Sequence, residues 1–389
     1  MINMIIREIL SELKLLLGEY PIVTILGPRQ SGKTTLVRDI LTGYQYSNLE
    51  DPEIRQFATD DPKAYLAQFR SKTIIDEIQR VPELLSYLQV LVDKEKVNGR
   101  FIITGSHQLK LQESITQSLA GRTAILTLLP LSISELLSAG FNSGSFEEYC
   151  YKGFLPKIHD QNIRPKTVHS NYYQTYVERD VRQLINLKNL SLFEKFLKLV
   201  AGRIGQIFDA SSIANDVGVD AKTISHWISI LEASFILFKL PAYFENFGKR
   251  VIKSPKYYFM DVGLLTFMLG IEKKEQISRD PLVGNIFENL VVLECIKERY
   301  NQGKLANLYY FRDSNGNEVD LLFQNGRELV AIEIKSATTY SKNQLKGLKK
   351  FSEISNKCSK SYLVYNGDDI DLSDNTSLIN FRNIFKVFE

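Results

Sequence analysis

The chain has 389 residues, 44% of them hydrophobic and 24% charged, with a formal net charge of +3. That length exceeds one small core and predicts two or three domains of ordinary soluble composition. So slight a positive excess excludes a global basic field, although a local basic face stays open.

The three cysteines, Cys150, Cys295 and Cys358, are far apart and form no C-x-x-C pair, and the four histidines are scattered. This argues for a reducing compartment and against a structural zinc or His-based metal site. Apolar runs such as Ser234–Leu240 fall well short of the ~18 to 20 residues of a spanning helix, so no membrane partner is expected. Met1–Leu17 is amphipathic but carries Arg7, Glu8, Glu12 and Lys14. It reads as a helix packed on the first domain, not as a secretory signal, and the expected location is cytoplasmic.

In chain order, Ile22–Leu26 is short, apolar and β-branched, and predicts a buried strand. Gly27-Pro28-Arg29-Gln30-Ser31-Gly32-Lys33-Thr34-Thr35 follows and fills the G-x-x-x-x-G-K-[ST] template without a substitution. Thr35–Leu41 can form a helix. Strand, Gly-rich loop and helix are the context this motif requires, which argues against an ordinary Gly-rich turn. Gly27 and Gly32 let backbone N–H groups surround a phosphate, and the new helix aims its positive end at the same anion. Lys33 adds a charge near the β- and γ-phosphates, and Thr34 offers a hydroxyl to Mg²⁺. ATP and Mg²⁺ are the expected cofactors.

Tyr44–Leu49 predicts a second strand, broken by Glu50-Asp51-Pro52-Glu53. A helix from Asp61-Pro62 to Phe69 comes next. Thr73-Ile74-Ile75-Asp76-Glu77 is a strand ending in two acids: Asp76 would hold the Mg²⁺ shell and Glu77 polarise the attacking water. Val81–Lys94 is an amphipathic helix. Phe101–Ser106 is a buried strand with polar residues at its end. Thr104 or Ser106 would contact the γ-phosphate or the water, or simply cap the strand. Arg122 precedes the strand Ala124–Leu129, where it could present a cation to a γ-phosphate, its own or that of a neighbouring copy. Strands alternating with helices predict a parallel sheet with ligands at its C-terminal edge.

The runs GPRQSGKTTL, IIDEIQRVP, ITGSHQ and LAGR–LLPLSISEL resemble the prokaryotic AAA+ ATPases of the AAA_14 type, in which a DUF4143 region typically follows. The resemblance implies an AAA+ fold, ATP hydrolysis and a homo-oligomer. Lys33, Asp76 and Glu77 fall on the family's nucleotide motifs, and Arg122 on its G-R position.

Residues 136–190 read as a helical lid, with helices at Pro130–Gly140, Phe146–Tyr151 and Tyr172–Leu187. In 191–279, Glu194–Phe208 is helical. Ser211-Ser212 caps Ile213–Val217, Gly218 turns the chain, and Asp220 caps a helix from Ala221 to Glu232. This is a helix-turn-helix pattern. Phe238–Tyr243 and Tyr257–Met260 would form a wing. On DNA, Lys222, Thr223, Ser225 and His226 would face the major groove, and Lys249, Arg250 and Lys253 would touch phosphates. The same module can dock a protein.

In 280–389, Pro281–Tyr300 predicts a long helix carrying Glu288. Strands follow at Leu308–Arg312, Glu318–Phe323 and Leu329–Lys335, with a hairpin at Asn325-Gly326. A helix through Gln344–Phe351 and a strand Ser361–Tyr365 complete the region. An acid on a helix, an acid on one strand and Glu-x-Lys on the next form the constellation of a PD-(D/E)xK nuclease fold. Glu333 and Lys335 share a strand face, and Asp320 lies one strand away. Glu288, Asp320 and Glu333 would bind a second Mg²⁺ or Mn²⁺, with Lys335 orienting water. The segment resembles the C-terminal part of DUF4143, where nuclease-like folds occur.

The expected class is therefore α/β: a P-loop AAA+ domain with a parallel sheet (1–135), a lid (136–190), a winged-helix middle (191–279) and a nuclease-like α/β domain (280–389). The leading reading is a Mg²⁺-dependent ATPase acting on DNA. The alternative is an ATP-dependent switch or chaperone-like regulator that binds a protein partner, its C-terminal domain catalytically inactive.

Overall fold

Five short segments of the N-terminal third lie side by side in the computed structural model, which describes residues 5–39, 41–106, 115, 118–141, 144–181, 190–244, 253–372 and 375–389. They are β1 (Ile22–Leu26), β2 (Gln45–Asn48), β3 (Thr73–Asp76), β4 (Phe101–Gly105) and β5 (Thr123–Thr127). Their order is β2-β3-β4-β1-β5, and every pair is parallel. β1, β3 and β4 are buried along their whole length. Strands covered on both faces require such continuous apolar runs. Because all five strands point one way, their C-terminal ends share one edge.

The N-terminal helix spans Leu10–Glu19. Leu13 on that helix, and Ile9 just before it, pack with Val23, Ile25, Leu36 and Ile102. β2 ends at Asn48, before Glu50-Asp51-Pro52-Glu53, and the same stretch also starts a helix, Pro52–Asp60. Asp51 Oδ1 accepts from Glu53 N–H at 2.9 Å. Pro52 sits in the first turn, where its missing N–H costs nothing.

The chain divides into two compact units. One is Met1–Leu131 with Ala233–Phe235 and Arg299–Lys304; the other is Ser132–Glu232, Ile236–Glu298 and Leu305–Glu389. The second unit opens with the helix Ile133–Ser138, closed by a Ser132/Glu135 capping box. Further on, the helix Leu190–Gly202 precedes Ala210–Val217 and Ala221–Ala233. Gly218, at φ 91°, turns the chain between the last two. Asp209, not Ser211-Ser212, caps the first of that pair, accepting from Ser211 N–H at 2.9 Å. Asp220 caps the second, accepting from Thr223 N–H at 2.8 Å. β6 (Leu237–Leu240) and β7 (Lys256–Phe259) then pair antiparallel. Lys249 and Arg250 lie outside the described residues.

After the long helix Val283–Asn301 comes a six-stranded sheet in the order β12-β13-β11-β10-β9-β8. Its strands are β8 (Leu308–Arg312), β9 (Glu318–Asn325), β10 (Glu328–Lys335), β11 (Cys358–Tyr365), β12 (Ile370–Asp371) and β13 (Thr376–Asn380). β8, β9 and β10 form an antiparallel meander, and β11 runs parallel to both β10 and β13. The helix Lys346–Ile354 covers the sheet through Leu348 and Phe351. Among the described residues no helix is long and apolar enough to cross a membrane.

Candidate functional site

β1 ends at Leu26, and the chain turns at once through Gly27 at φ 154°. A Cβ there would lie 2.1 Å from the Leu128 carbonyl oxygen, so only glycine passes. Gly32, at φ 92°, makes the second turn. Its carbonyl accepts Leu36 N–H at 2.9 Å, which starts the helix Lys33–Asp39 directly from the loop. Pro28 and Ser31 are buried, Arg29 is half-buried, and Gln30, Thr34 and Thr35 are exposed. Buried Lys33 donates its Nζ to the carbonyls of Gly27 (2.9 Å) and Pro28 (2.8 Å). Burial lowers its ammonium pKa to about 8, opposed by the Glu77 and Asp76 charges and assisted by Arg29.

Asp76 closes β3 beside this loop. Its Oδ2 accepts from Thr34 Oγ1 at 2.9 Å and from Tyr46 OH at 2.7 Å, and its Oδ1 accepts from Thr104. Glu77 leaves the strand in the left-handed region, at φ 59°. Its N–H donates to Thr104 Oγ1 at 3.2 Å. Its Oε2 accepts from Gln79 and, at 3.3 Å, from Ser106 Oγ. Gln79 Nε2 also donates to Ser106 Oγ at 3.1 Å. The loop, Lys33, Thr34, Asp76, Glu77 and Ser106 thus meet at the C-terminal edge of the sheet. A hydroxyl and a carboxylate 2.9 Å apart at the mouth of a phosphate loop suit a hydrated divalent cation.

Three further residues were not evident in the sequence. Tyr46 reaches Asp76 from the neighbouring strand β2, and Gln79 reaches Glu77 from a 3₁₀ turn. Buried Arg7 donates to the carbonyls of Ser31 (2.8 Å) and Leu129 (2.7 Å), clamping the loop to the chain after β5.

Arg122 is placed elsewhere. It immediately precedes β5, and its carbonyl accepts Ile22 N–H at 3.2 Å, at the N-terminal edge of the sheet. The phosphate loop begins five residues further along β1, roughly 16 Å away at about 3.3 Å per residue. An arginine side chain does not span that distance, so the expectation that Arg122 serves its own γ-phosphate is corrected. Its guanidinium instead makes a two-point bond to Asp93, at 2.6 and 2.8 Å, which holds the Asp93 carboxyl below its usual range.

On the helix Ala221–Ala233, Lys222, Ser225, His226 and Ser229 are exposed, while Ile224, Trp227, Ile228 and Leu231 face the core. Ser225 Oγ donates to the Ala221 carbonyl and Ser229 Oγ to that of His226. Thr223 Oγ1 is spent on Asp220 at 2.9 Å.

In the C-terminal sheet, Asp320, Glu333 and Lys335 come together. Lys335 Nζ lies 2.6 Å from Glu333 Oε1 and 3.2 Å from Asp320 Oδ2, which also accepts Ile334 N–H at 2.9 Å. Among the described residues, Glu333 Oε2 is buried without a hydrogen-bond partner. Burial first, and the Asp320 charge second, push the Glu333 carboxyl up to about 7. Glu288 does not join this group. Its Oε1 accepts from Tyr258 OH at 2.5 Å and Lys256 Nζ at 3.2 Å. Lys256 also lies 2.8 Å from Glu318 Oε1. Burial works against the Lys256 charge, but Glu288, Asp320 and Glu318 overcome it and raise its pKa. Among the described residues no group of three or more His, Cys, Asp and Glu side chains could hold a metal ion. The expected set of Glu288, Asp320 and Glu333 around a second Mg²⁺ or Mn²⁺ is therefore not formed, because lysines stand between the acids.

The chain is similar to several known proteins. The AAA domain model matches residues 19–137, and the DUF4143 domain of unknown function matches 283–384. A third model, the DUF8612 domain of unknown function, matches 143–275, across most of the stretch expected as lid and helix-turn-helix. An uncharacterized protein of Mycobacterium tuberculosis is 31% identical over 340 residues, covering 86% of this chain and 75% of that protein. An uncharacterized protein of Haemophilus influenzae is 26% identical over 347 residues, covering 80% of this chain and 82% of that one. Among solved structures, a Walker-type ATPase of Pyrococcus abyssi aligns with 67% of this chain and 94% of its own, at 14% identity and a TM-score of 0.46.

Proposed function

The chain belongs to the protein family of its Mycobacterium tuberculosis relative and carries an AAA-type P-loop domain, and from that premise we propose that it hydrolyses ATP with Mg²⁺ and couples this to action on DNA. The observation that carries the ATPase reading is Thr34 Oγ1 at 2.9 Å from Asp76 Oδ2, with Glu77 the next residue. Loop N–H groups and Lys33 hold the β- and γ-phosphates. Thr34 and Asp76 hold the cation, which supplies positive charge against the phosphate oxygens. Glu77 orients a water in line with the γ-phosphorus. The water oxygen bonds to phosphorus, the bond to the ADP oxygen breaks, and a water proton leaves toward Glu77. Ser106 and Gln79 fix the Glu77 carboxylate.

Two features support DNA as the target. The helix Ala221–Ala233 follows a glycine turn, precedes a β-hairpin as in a winged helix, and exposes Lys222, Ser225 and His226. The order of Glu288, Asp320, Glu333 and Lys335 along the C-terminal elements is also that of nuclease-like folds. A second reading, a protein-directed switch, is favoured by the same helix. Its exposed face has one lysine, and both serines spend their hydroxyls on their own backbone. ATP turnover with and without duplex DNA, at two salt concentrations, separates the readings. Stimulation that fades with salt supports DNA. Turnover indifferent to DNA, at either salt concentration, supports the protein-directed reading.

A further inference from the structure

We propose that the outward face of the helix Lys346–Ile354, with Lys342 just before it, binds the phosphate backbone of DNA, and that the chain holds DNA there more than through the helix Ala221–Ala233. The inference rests on the DNA reading given above and names the surface that carries it.

Positive charge is concentrated in this stretch. Residues 335–360 contain seven lysines and one acid, a net +6, whereas the whole chain carries +3, so all other residues together sum to −3. Lys342, Lys346, Lys349 and Lys350 are exposed. With ~3.6 residues per turn, Lys346, Lys349 and Lys350 fall on one side of the helix. The opposite side packs Leu348 and Phe351 on the sheet. Lys350 pairs with Glu353 at 3.1 Å, both side chains at least half exposed. Among the described residues, Lys342, Lys346 and Lys349 have no carboxylate partner. A helix face that is merely solvated alternates its signs and pairs them. Here Lys346 and Lys350, four residues apart, repel each other, a cost that a bound polyanion removes.

No apolar or aromatic side chain is exposed from Lys342 to Glu353. A protein contact would need an apolar centre, and a membrane surface would take up an apolar helix face, which here is already spent on the sheet. A row of cations alone suits a uniform line of charges, one per about 3.4 Å of each DNA strand. The row also has a defined place. A Cβ on Gly347 would lie 2.5 Å from the Glu318 carbonyl oxygen and 3.2 Å from Glu333 Oε2. The helix backbone therefore runs directly against the edge where Asp320, Glu333 and Lys335 meet. A strand held on the row would pass beside that cluster.

The test is binding of a short DNA duplex to the full chain without nucleotide, read by fluorescence anisotropy across a salt series. Combined Lys342→Gln, Lys346→Gln and Lys349→Gln should weaken binding about tenfold or more and make the slope of log K against log salt shallower by about 3. Arginine at the same three positions should keep both. Lys222→Gln should change the slope by about 1 at most. The glutamine variant should keep the wild-type Tm and the wild-type ATP turnover measured without DNA. If it fails to fold, Lys349→Gln alone decides, with an expected slope change of about 1. Wild-type binding that the glutamine variant retains in affinity and slope overturns the inference and leaves the DNA reading standing. A wild type that binds no duplex at low salt removes both. Binding to phosphatidylserine–phosphatidylcholine vesicles but not to duplex, lost in the glutamine variant, would assign the row to a membrane surface and overturn the inference.

Discussion

Thr34 donates its hydroxyl to Asp76 across 2.9 Å, joining the first turn after the phosphate loop to the end of a strand 42 residues later. Asp76 also accepts from Tyr46 and Thr104, so one buried carboxylate serves as both a structural hub and the proposed cation ligand. Asp76→Asn should separate these roles. The amide turns one acceptor into a donor facing donors, which costs about 1–3 kcal/mol of stability. The half-saturating Mg²⁺ concentration for ATP turnover should rise tenfold or more. Magnesium titrations of wild type and variant check this, and an unchanged midpoint would remove Asp76 from the cation site.

Arg122 and Asp93 pair at the edge of the sheet opposite the loop. Any contact with a γ-phosphate must therefore be made in a neighbouring copy. If Arg122 acts on a neighbouring copy's γ-phosphate, Arg122→Ala should keep ATP affinity and lose most turnover. Mixing Arg122→Ala with Glu77→Gln subunits should restore a measurable fraction, because some interfaces then contain one intact glutamate and one intact arginine. Full turnover by Arg122→Ala alone would make the pair purely structural.

Glu333 predicts a pH dependence. Its carboxyl is raised from 4.5 to about 7, chiefly by burial and then by Asp320. The folded chain therefore holds a proton there that the unfolded chain has released. That contribution is fully present below about 4.5 and is lost as pH rises through about 7. At ~1.36 kcal/mol per unit, its upper size is about 3 kcal/mol. Denaturant unfolding at pH 5 and pH 8 should show this loss in wild type, and Glu333→Gln should flatten it. Identical slopes in the two proteins would mean that other groups dominate.

The phosphate loop was legible because its chemistry is written in one contiguous run. Asp76-Glu77 was legible because a short apolar strand ends on them. Tyr46, Gln79 and Arg7 were not, because their partners lie 30, two and 24 residues away and no spacing rule links those pairs. The placement of Arg122 was available in principle, since a residue that precedes a parallel strand lies at the edge away from the ligand. The break at Pro52 ends the second strand, but the helix that Pro52 opens was not anticipated, although Asp51 before a proline is a helix-start signal. Lys256 was hidden for a different reason. A lysine on a short strand suggests solvent, and only the packed fold sets it against Glu288 and Glu318.

The central claim is ATP hydrolysis through Glu77, whose backbone is held by Thr104 and whose carboxylate is held by Ser106 and Gln79. The most direct measurement is single-turnover ATP hydrolysis by purified wild type and Glu77→Gln at saturating Mg²⁺, with nucleotide affinity measured on both. Wild type should hydrolyse ATP. Glu77→Gln should bind it within about threefold of wild type and hydrolyse it at least 10²-fold more slowly, the lower range for loss of a positioned acid–base group. Glu77→Gln hydrolysing at the wild-type rate, or a wild type that binds ATP and never cleaves it, would contradict the account.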